Sequence, residues 1–480
     1  MKFQRQVAIL IIVGSVLAGL LCDLLVRQTL LGLNFLLFTL IWVAVCFGFV
    51  LRRRQSLPSP ITYGLIAVTN AVFVCWRAEP AVQTWSAWTA LFALALLATT
   101  VFFENFKELP LLQRFPAALS HLKHTAHQAP TTLGEAVSQR PAKPLHINRG
   151  VIGAAGLAVV FIILFASADQ IFGKSFDWAG TALSNLADLL SSYDIGRFFT
   201  VSFWATISLI VLFGLFSRRH APATARAIKP SLTGRDAVTI LATLVVIFAV
   251  FVLVQLRYLF AGGSLPSGLT YASYAHRGYG QLLLATLLAT AVVKYIISAL
   301  KTPATIRVKL LAAALIVLNG VVVLSAWKRL SLYETTYGWT MLRFVARLGL
   351  ICILLGSVSV LAWLWGKLNS RQLYASNWYI IVAVLMSAAV LNPAGIIARK
   401  NIAERTSRTV ILDTDYLMSL SPDAWPAICS SAPSLKTSHP LEYRQLRTEF
   451  EEYQPETSRG LSRHHTAEKS YVDRYKHCLK

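Results

Sequence analysis

Apolar residues dominate this chain in long runs, and polar residues are confined mostly to the gaps between them. Eleven runs approach or reach the roughly 20 residues a helix needs to cross a hydrocarbon core. They are Val7–Val26, Leu30–Leu51, Ile61–Trp76, Ser86–Phe103, Val151–Ala168, Phe198–Phe216, Ala237–Leu256, Tyr279–Leu300, Val308–Ala326, Phe344–Trp363 and Asn377–Leu391. The third and the last are short. No run shows the strict alternation of a lipid-facing β-strand. The pattern predicts an all-α, polytopic helical membrane protein of about 11 transmembrane helices. Lys2 and Arg5 precede the first run, but no A-x-A cleavage site follows, so it reads as a retained anchor.

Composition sharpens this reading. Over 480 residues, 55% are hydrophobic and only 14% charged, against about 25% charged in ordinary soluble domains. A water-soluble enzyme and a disordered chain are both excluded. The net charge is +23, but residues 392–480 hold 13 Lys/Arg against 11 Asp/Glu. The basic surplus therefore lies in the gaps between apolar runs, where membrane sidedness explains it and nucleic-acid binding is not expected. With the N-terminus inside, the inner gaps hold 21 basic residues and the outer gaps nine. An odd number of spans then leaves a small helical C-terminal region outside. The expected setting is a bacterial inner membrane.

Four segments follow: a four-helix stretch at 1–103, an inner loop at 104–150, a core of about seven spans at 151–391, and the region 392–480. In the loop, Phe106, Leu109, Leu112, Phe115, Leu119 and Leu122 recur near helical spacing beside basic residues. That suits either an interfacial helix on anionic lipid or a plain connector. PTTLGEAVSQRPAKP after it reads as a flexible linker. His121, His124 and His127 have no acidic or thiol companions and read as a solvated face, so no metal or cofactor is expected. In the C-terminal region LEYRQLRTEFEEYQPE places Leu446, Phe450 and Tyr453 on one side of a helix, as a packed cap or a partner-binding element. Cys429 and Cys478 lie here, either as a disulfide or as two separate thiols.

Candidate chemistry gathers in the outer gaps. VQLRYLFAGGSLPSGLTYASYAHRGYGQLLL brings Gln255, Arg257, Tyr258, Tyr271, Tyr274 and Arg277 to a glycine-rich turn at a membrane edge. Ionisable groups there are candidates for holding an anionic headgroup or carboxylate, although Tyr and Arg also serve as ordinary interfacial anchors. WKRLSLYETTYGWTMLR adds Arg329, Tyr333, Glu334, Tyr337 and Arg343. Arg329, Tyr333 and Tyr337 share a helical face at i,i+4 spacing. Glu334 is the only acid between Ala237 and Leu391, and reads as half of an ion pair before it reads as a catalytic acid. Lys294 and Arg347 fall within apolar runs and need partners or water. No Walker A, GxSxG, HExxH or GxGxxG motif occurs.

The blocks QLRYLFAGG and LTYASYAHRGYGQLL resemble the signature of an uncharacterised bacterial multi-pass membrane family, a domain of unknown function. The family pattern is similar to Q-L-x-Y-L-F-G-G followed by T-Y-A-E-Y-A-R-x-G-F-x-E-L. RLSLYETTYGWTMLR, NPAGIIARKN and LDTDYLMSLSPDAWPAI match it further, over roughly Val151 to Ile428. Ser273 and Gln281 stand where that pattern favours glutamates, and His276 precedes Arg277 where a second basic residue is usual. The resemblance implies a helical inner-membrane protein with an outer C-terminal region and supplies no activity. The expected role is non-enzymatic binding or signalling in the envelope: the outer Tyr/Arg-rich face binds an anionic lipid or envelope ligand, the C-terminal region binds a protein partner, and the 104–150 loop carries the signal inward. A transporter or flippase for an amphipathic anion is the alternative, and an envelope transferase a further one.

Overall fold

The computed structural model describes residues 5–26, 32–107, 109–138, 193–217, 231–256, 279–406, 412–453, 466–475 and 478–479. Among them the chain is all-α, without a strand. Eleven long helices come first: α1 Arg5–Val26, α2 Leu33–Arg52, α3 Pro58–Trp76, α4 Pro80–Phe102, α5 Leu111–Ser138, α6 Tyr193–Phe216, α7 Gly234–Gln255, α8 Tyr279–Ala299, α9 Ile306–Tyr337, α10 Met341–Leu364 and α11 Ser370–Leu391. A run of shorter ones forms the tail: α12 Pro393–Thr406, α13 Thr414–Ser419, α14 Trp425–Ser430, α15 Ala432–Ser438, α16 Pro440–Glu452 and α17 Thr466–Tyr475.

Nine of the described helices are long and apolar enough to cross a membrane. They match the first four and the last five of the eleven runs. The sixth run is the described apolar helix Thr200–Phe216 within α6, 17 residues long. The fifth lies outside the described residues. Large apolar side chains stay open along these helices: Leu17 is 60% exposed, Val246 61% and Leu284 67%. Such a surface is stable in lipid and would aggregate in water. This is a polytopic membrane protein.

The chain forms two compact units, Met1–Arg27 with Ala118–Arg219, and Gln28–Ala117 with His220–Lys480. In the first, α1 packs along α6. A Cβ on Gly19 would stand 2.7 Å from the Ala205 Cβ and 2.8 Å from the Val201 carbonyl, so glycine permits this close approach. Ala8, Ile11 and Phe213 pack with Ala129 and Leu133 of α5. That packing corrects the first part of the linker reading: α5 continues through Pro130 to Ser138, because Ala129 and Leu133 gain buried apolar contact; residues 139–144 lie outside the described residues. His121 is buried, with Nε2 3.2 Å from the Gly214 carbonyl, rather than on a solvated face.

In the second unit, local sequence sets the helix ends. Pro58 and Pro80 occupy first-turn positions, where a missing N–H costs nothing. Thr233 with Asp236, and Asn369 with Gln372, close capping boxes on α7 and α11. Gly338 at φ +82° ends α9. Ala237, Val293, Leu315 and Leu364 tie α7, α8, α9 and α10 into one apolar core. Polar side chains clasp neighbouring spans: Asn319 Nδ2 donates to the Thr286 carbonyl at 3.2 Å, and Ser359 Oγ to Asn377 Oδ1 at 3.2 Å. Lys294 rests with Nζ 3.1 Å from the centroid of the Tyr374 ring.

α9 has 32 residues, roughly 48 Å at 1.5 Å per residue, against a hydrocarbon core of about 30 Å. Its last turns carry Arg329, Tyr333, Glu334 and Tyr337. The turn that follows them, with Trp339 and Met341, packs on the tail core. Trp425 is the tail's centre, stacked 4.4 Å from Phe450 with Tyr453 edge-on at 5.1 Å. The same core takes in Phe344, Leu348 and Ala388 from α10 and α11, so the tail is packed on the helix ends. Cys429 and Cys478 form a disulfide, Cα to Cα 5.7 Å, across 49 positions of sequence. It ties the end of the chain to α14 and restricts the unfolded tail.

Candidate functional site

Three hinges hold the tail to the helix ends, and each draws on a sequence block singled out above. The first is Asp423, fully buried in the short 3-10 turn Pro422–Ala424. Its Oδ2 accepts from the Ala78 and Glu79 amides at 2.8 and 3.0 Å. These amides lie in the turn between α3 and α4. Arg77 Nη1 stands 4.0 Å from Asp423 Oδ1. Arg77 also donates to the Ala389 and Val390 carbonyls at the end of α11, both at 2.7 Å, and lies over the Trp76 ring. Asn392, at φ +58°, donates from Nδ2 to the Asp423 carbonyl at 2.8 Å and accepts at Oδ1 from Gly395 N–H at 3.0 Å. One guanidinium and one carboxylate thus join α3, α4, α11 and the tail.

The second hinge is Asn401 of α12. Its amide brackets the Trp339 backbone, accepting at 2.6 Å and donating at 2.9 Å. Trp339 Nε1 donates to Glu404 at 3.2 Å. The third is Tyr416, whose hydroxyl accepts from Met341 N–H at 3.0 Å. Asn401 and Tyr416 therefore fix the short turn between α9 and α10.

The candidate residues on the ends of these helices divide by role. Glu334 is buried and takes a forked interaction from Arg347, whose Nε lies 2.9 and 3.0 Å from its two oxygens. Arg347 Nη2 also reaches Ser331 Oγ at 3.1 Å. Its guanidinium is sandwiched between Trp327 and Trp339, 4.6 Å from each ring. Glu334 is thus engaged in a structural ion pair. Arg329 donates to Gln255 Oε1 at 2.7 Å, and Ser325 donates to the same oxygen at 3.0 Å. Gln255 and Arg329 are therefore brought together, and they join α7 to α9. Tyr333 and Tyr337 lie 5.0 Å apart, as their i,i+4 spacing requires. Arg343, in the first turn of α10, covers Tyr333 at 4.2 Å and donates to the Gly338 carbonyl. Arg257, Tyr258, Tyr271, Tyr274 and Arg277 lie outside the described residues.

Between these hinges is a cavity of about 260 Å³, lined by Tyr337, Trp339, Arg343, Asn401, Asp413 and Tyr416, among others. Asp413 caps α13 through Tyr416 N–H at 2.9 Å, and burial pushes the Tyr416 hydroxyl pKa up. Arg343 differs from its neighbours: among the described residues no carboxylate pairs with it. Its cation faces a polar, aromatic-walled cavity. The cavity residues Trp339, Asn401, Asp413 and Tyr416 were not singled out as a site from sequence. Their signal in the sequence is membership of the quoted blocks, YGWT, NPAGIIARKN and LDTDYL.

Glu79 stands at the residue before α4, beside Asp423, without a side-chain cap bond, and is also buried. Burial pushes its carboxyl above the usual range, and the neighbouring Asp423 adds to this; Ser421 partly offsets it. Burial raises Asp423 as well, against the opposing pull of the Glu79 and Ala78 amides and of Arg77. A carboxyl raised in the folded state favours folding at pH below its ordinary value, and that contribution is lost as pH rises through the folded value. Glu79→Gln removes the cost of ionising this group. The variant should therefore be more resistant to tail unfolding than the parent at about pH 8, and equal to it near about pH 4. Thermal unfolding followed by proteolysis of the tail at the two pH values reads this; equal shifts at both would contradict it.

A family model described as a domain of unknown function (DUF4153) matches residues 61–430. No curated protein and no solved structure matches the chain.

Proposed function

The chain belongs to the DUF4153 family, a domain of unknown function, and from that footing we propose a non-enzymatic binding protein of the bacterial inner membrane. The tail and the helix ends beneath it form a receptor-like seat on the outer side. The ligand is a small polar molecule with an anionic group, carboxylate or phosphate. Its anion pairs with Arg343, whose planar donor fork suits such groups, and its body lies against Trp339, Tyr337 and Tyr416. The observation that carries this reading is Arg343 itself: a half-buried guanidinium lining a cavity, with no carboxylate partner among the described residues. The described acids nearby are engaged, Glu334 by Arg347 and Asp413 by its helix cap. This speaks against a transferase that would use Glu334 as its acid.

Sidedness rests on two independent supports. Basic residues are more numerous in the gaps on the side away from the tail. The Cys429–Cys478 disulfide is the chemistry of an oxidising compartment, outside the cytoplasmic membrane. The tail then faces outward and the N-terminus inward. A carboxyl-terminal alkaline phosphatase fusion should be active and a green-fluorescent one dark; the reverse pattern would overturn the orientation.

Native mass spectrometry of gently extracted protein tests the ligand. The parent should carry a small co-purified mass that Arg343→Ala loses at least tenfold, while Leu284→Ala, on an exposed face of α8, retains it. A bare parent, or equal retention by Arg343→Ala, would contradict the proposal.

A further inference from the structure

A second cavity, far larger and of opposite character, runs along the flank of the helices. It is a groove of about 850 Å³ between α4 and α11, bordered by Trp85, Trp88, Phe92, Trp378 and Ile381. It extends from Pro80, at the start of α4, to Ala95, roughly 22 Å at 1.5 Å per residue. That exceeds half the roughly 30 Å hydrocarbon thickness. Phe115, in the first turns of α5, marks its far end. Phe92 stands 6.3 Å from Phe115 and 4.6 Å from Trp378, centroid to centroid.

The groove is almost wholly apolar. Its two hydroxyls are engaged with their own helix: Thr84 Oγ1 donates to the Pro80 carbonyl at 2.8 Å and Thr89 Oγ1 to the Trp85 carbonyl at 2.7 Å. Among the described residues no charged side chain lines it. The Trp85 and Trp378 indole N–H groups are buried without a partner, and with no charge and no free acceptor beside them a charged solute would lose its hydration with little compensation. Both walls are membrane-spanning helices, and Trp88 is 69% exposed, so the groove opens toward lipid. Its mouth adjoins the junction described above, because Trp85 packs both on the tail core and against Phe73, Val82 and Ala389.

We propose that this groove holds one acyl chain of a bilayer phospholipid from the leaflet on the tail's side. The chain enters beside Pro80 and ends against Phe92, Phe115 and Trp378. Length, the lack of charge and the aromatic floor all select hydrocarbon. An ordinary lipid-facing surface exchanges its lipids freely; a chain seated among three indoles and two phenyl rings buries more of its area and is retained. This site is separate from the anion seat at Arg343, and neither reading requires the other.

The test is native mass spectrometry after extraction in mild detergent and exchange into phosphatidylethanolamine–phosphatidylglycerol nanodiscs. The parent should release from the disc carrying one phospholipid mass. Ala95→Phe and Ala81→Phe, which fill the groove at opposite ends, should each lower that occupancy at least fivefold. Leu284→Phe, on an exposed face elsewhere, should leave it unchanged. Monodisperse size-exclusion profiles identify variants that retain the fold, and two filling variants guard against one misfolding. As a second reading, phospholipid brominated along its chain should quench tryptophan fluorescence less in the filled variants. A parent stripped bare, equal occupancy in all variants, or equal loss in Leu284→Phe would overturn the proposal.

Discussion

The arrangement depends on a buried carboxylate that closes three helix ends at once. Asp423 stands where the turn between α3 and α4 presents two backbone amides and where Arg77 reaches across to the end of α11. Each group here would be costly to bury alone. Unpartnered amides, a lone guanidinium and a lone carboxylate all carry large desolvation penalties. Together they offset much of that cost: Asp423 Oδ2 takes both amides, Arg77 bonds two carbonyls of α11, and its charge stands 4.0 Å from Asp423 Oδ1, which makes no hydrogen bond of its own. This is why a region of nearly balanced charge settles on one end of an apolar bundle. Trp425 and Phe450 then add the apolar core that makes the seat stable, and the Cys429–Cys478 disulfide holds the last residues against it.

From that seat the rest follows. Asn401 and Tyr416 come from the tail and bind the backbone of the turn between α9 and α10. That turn begins where Gly338, at a positive φ, ends α9. The fixed turn places Arg343 beside the cavity, while Arg347 is consumed by Glu334. Four arginines of similar sequence setting thus acquire different roles. Arg77 joins elements, Arg329 bonds an amide side chain, Arg347 neutralises an acid, and Arg343 alone among them lines the cavity with no acid beside it among the described residues.

The fold was legible because lipid leaves the backbone few options. Apolar runs of helical length marked nine described spans, and even the short third and last runs lie within full helices of 19 and 22 residues. What periodicity missed was polar continuation. α9 runs on through WKRLSLYETTY, since Arg329 and Glu334 find partners on neighbouring helices, and α5 runs through Pro130 because its later turns pack against α1 and α6. The site was legible in part. Spacing along one helix predicted the Tyr333–Tyr337 pair, and the reading of Glu334 as an ion-pair member met its partner in Arg347. The Asp423–Arg77 contact joins residues 346 positions apart, and no local pattern carries a contact of that separation. The turn around Arg257 and Arg277 falls outside the described residues.

Hydrogen–deuterium exchange of the full chain in nanodiscs, comparing the parent with Asp423→Asn, addresses the seat most directly. The substitution keeps the shape and removes the charge that Arg77 and the two amides face. Amides of α12 to α16 should lose protection together with those of the Trp339 turn, which is distant in sequence and bonded to Asn401 and Tyr416 of the tail, while α7 and α8 stay unchanged. Protection of the tail and of the Trp339 turn equal to the parent's would contradict the view that Asp423 seats the tail.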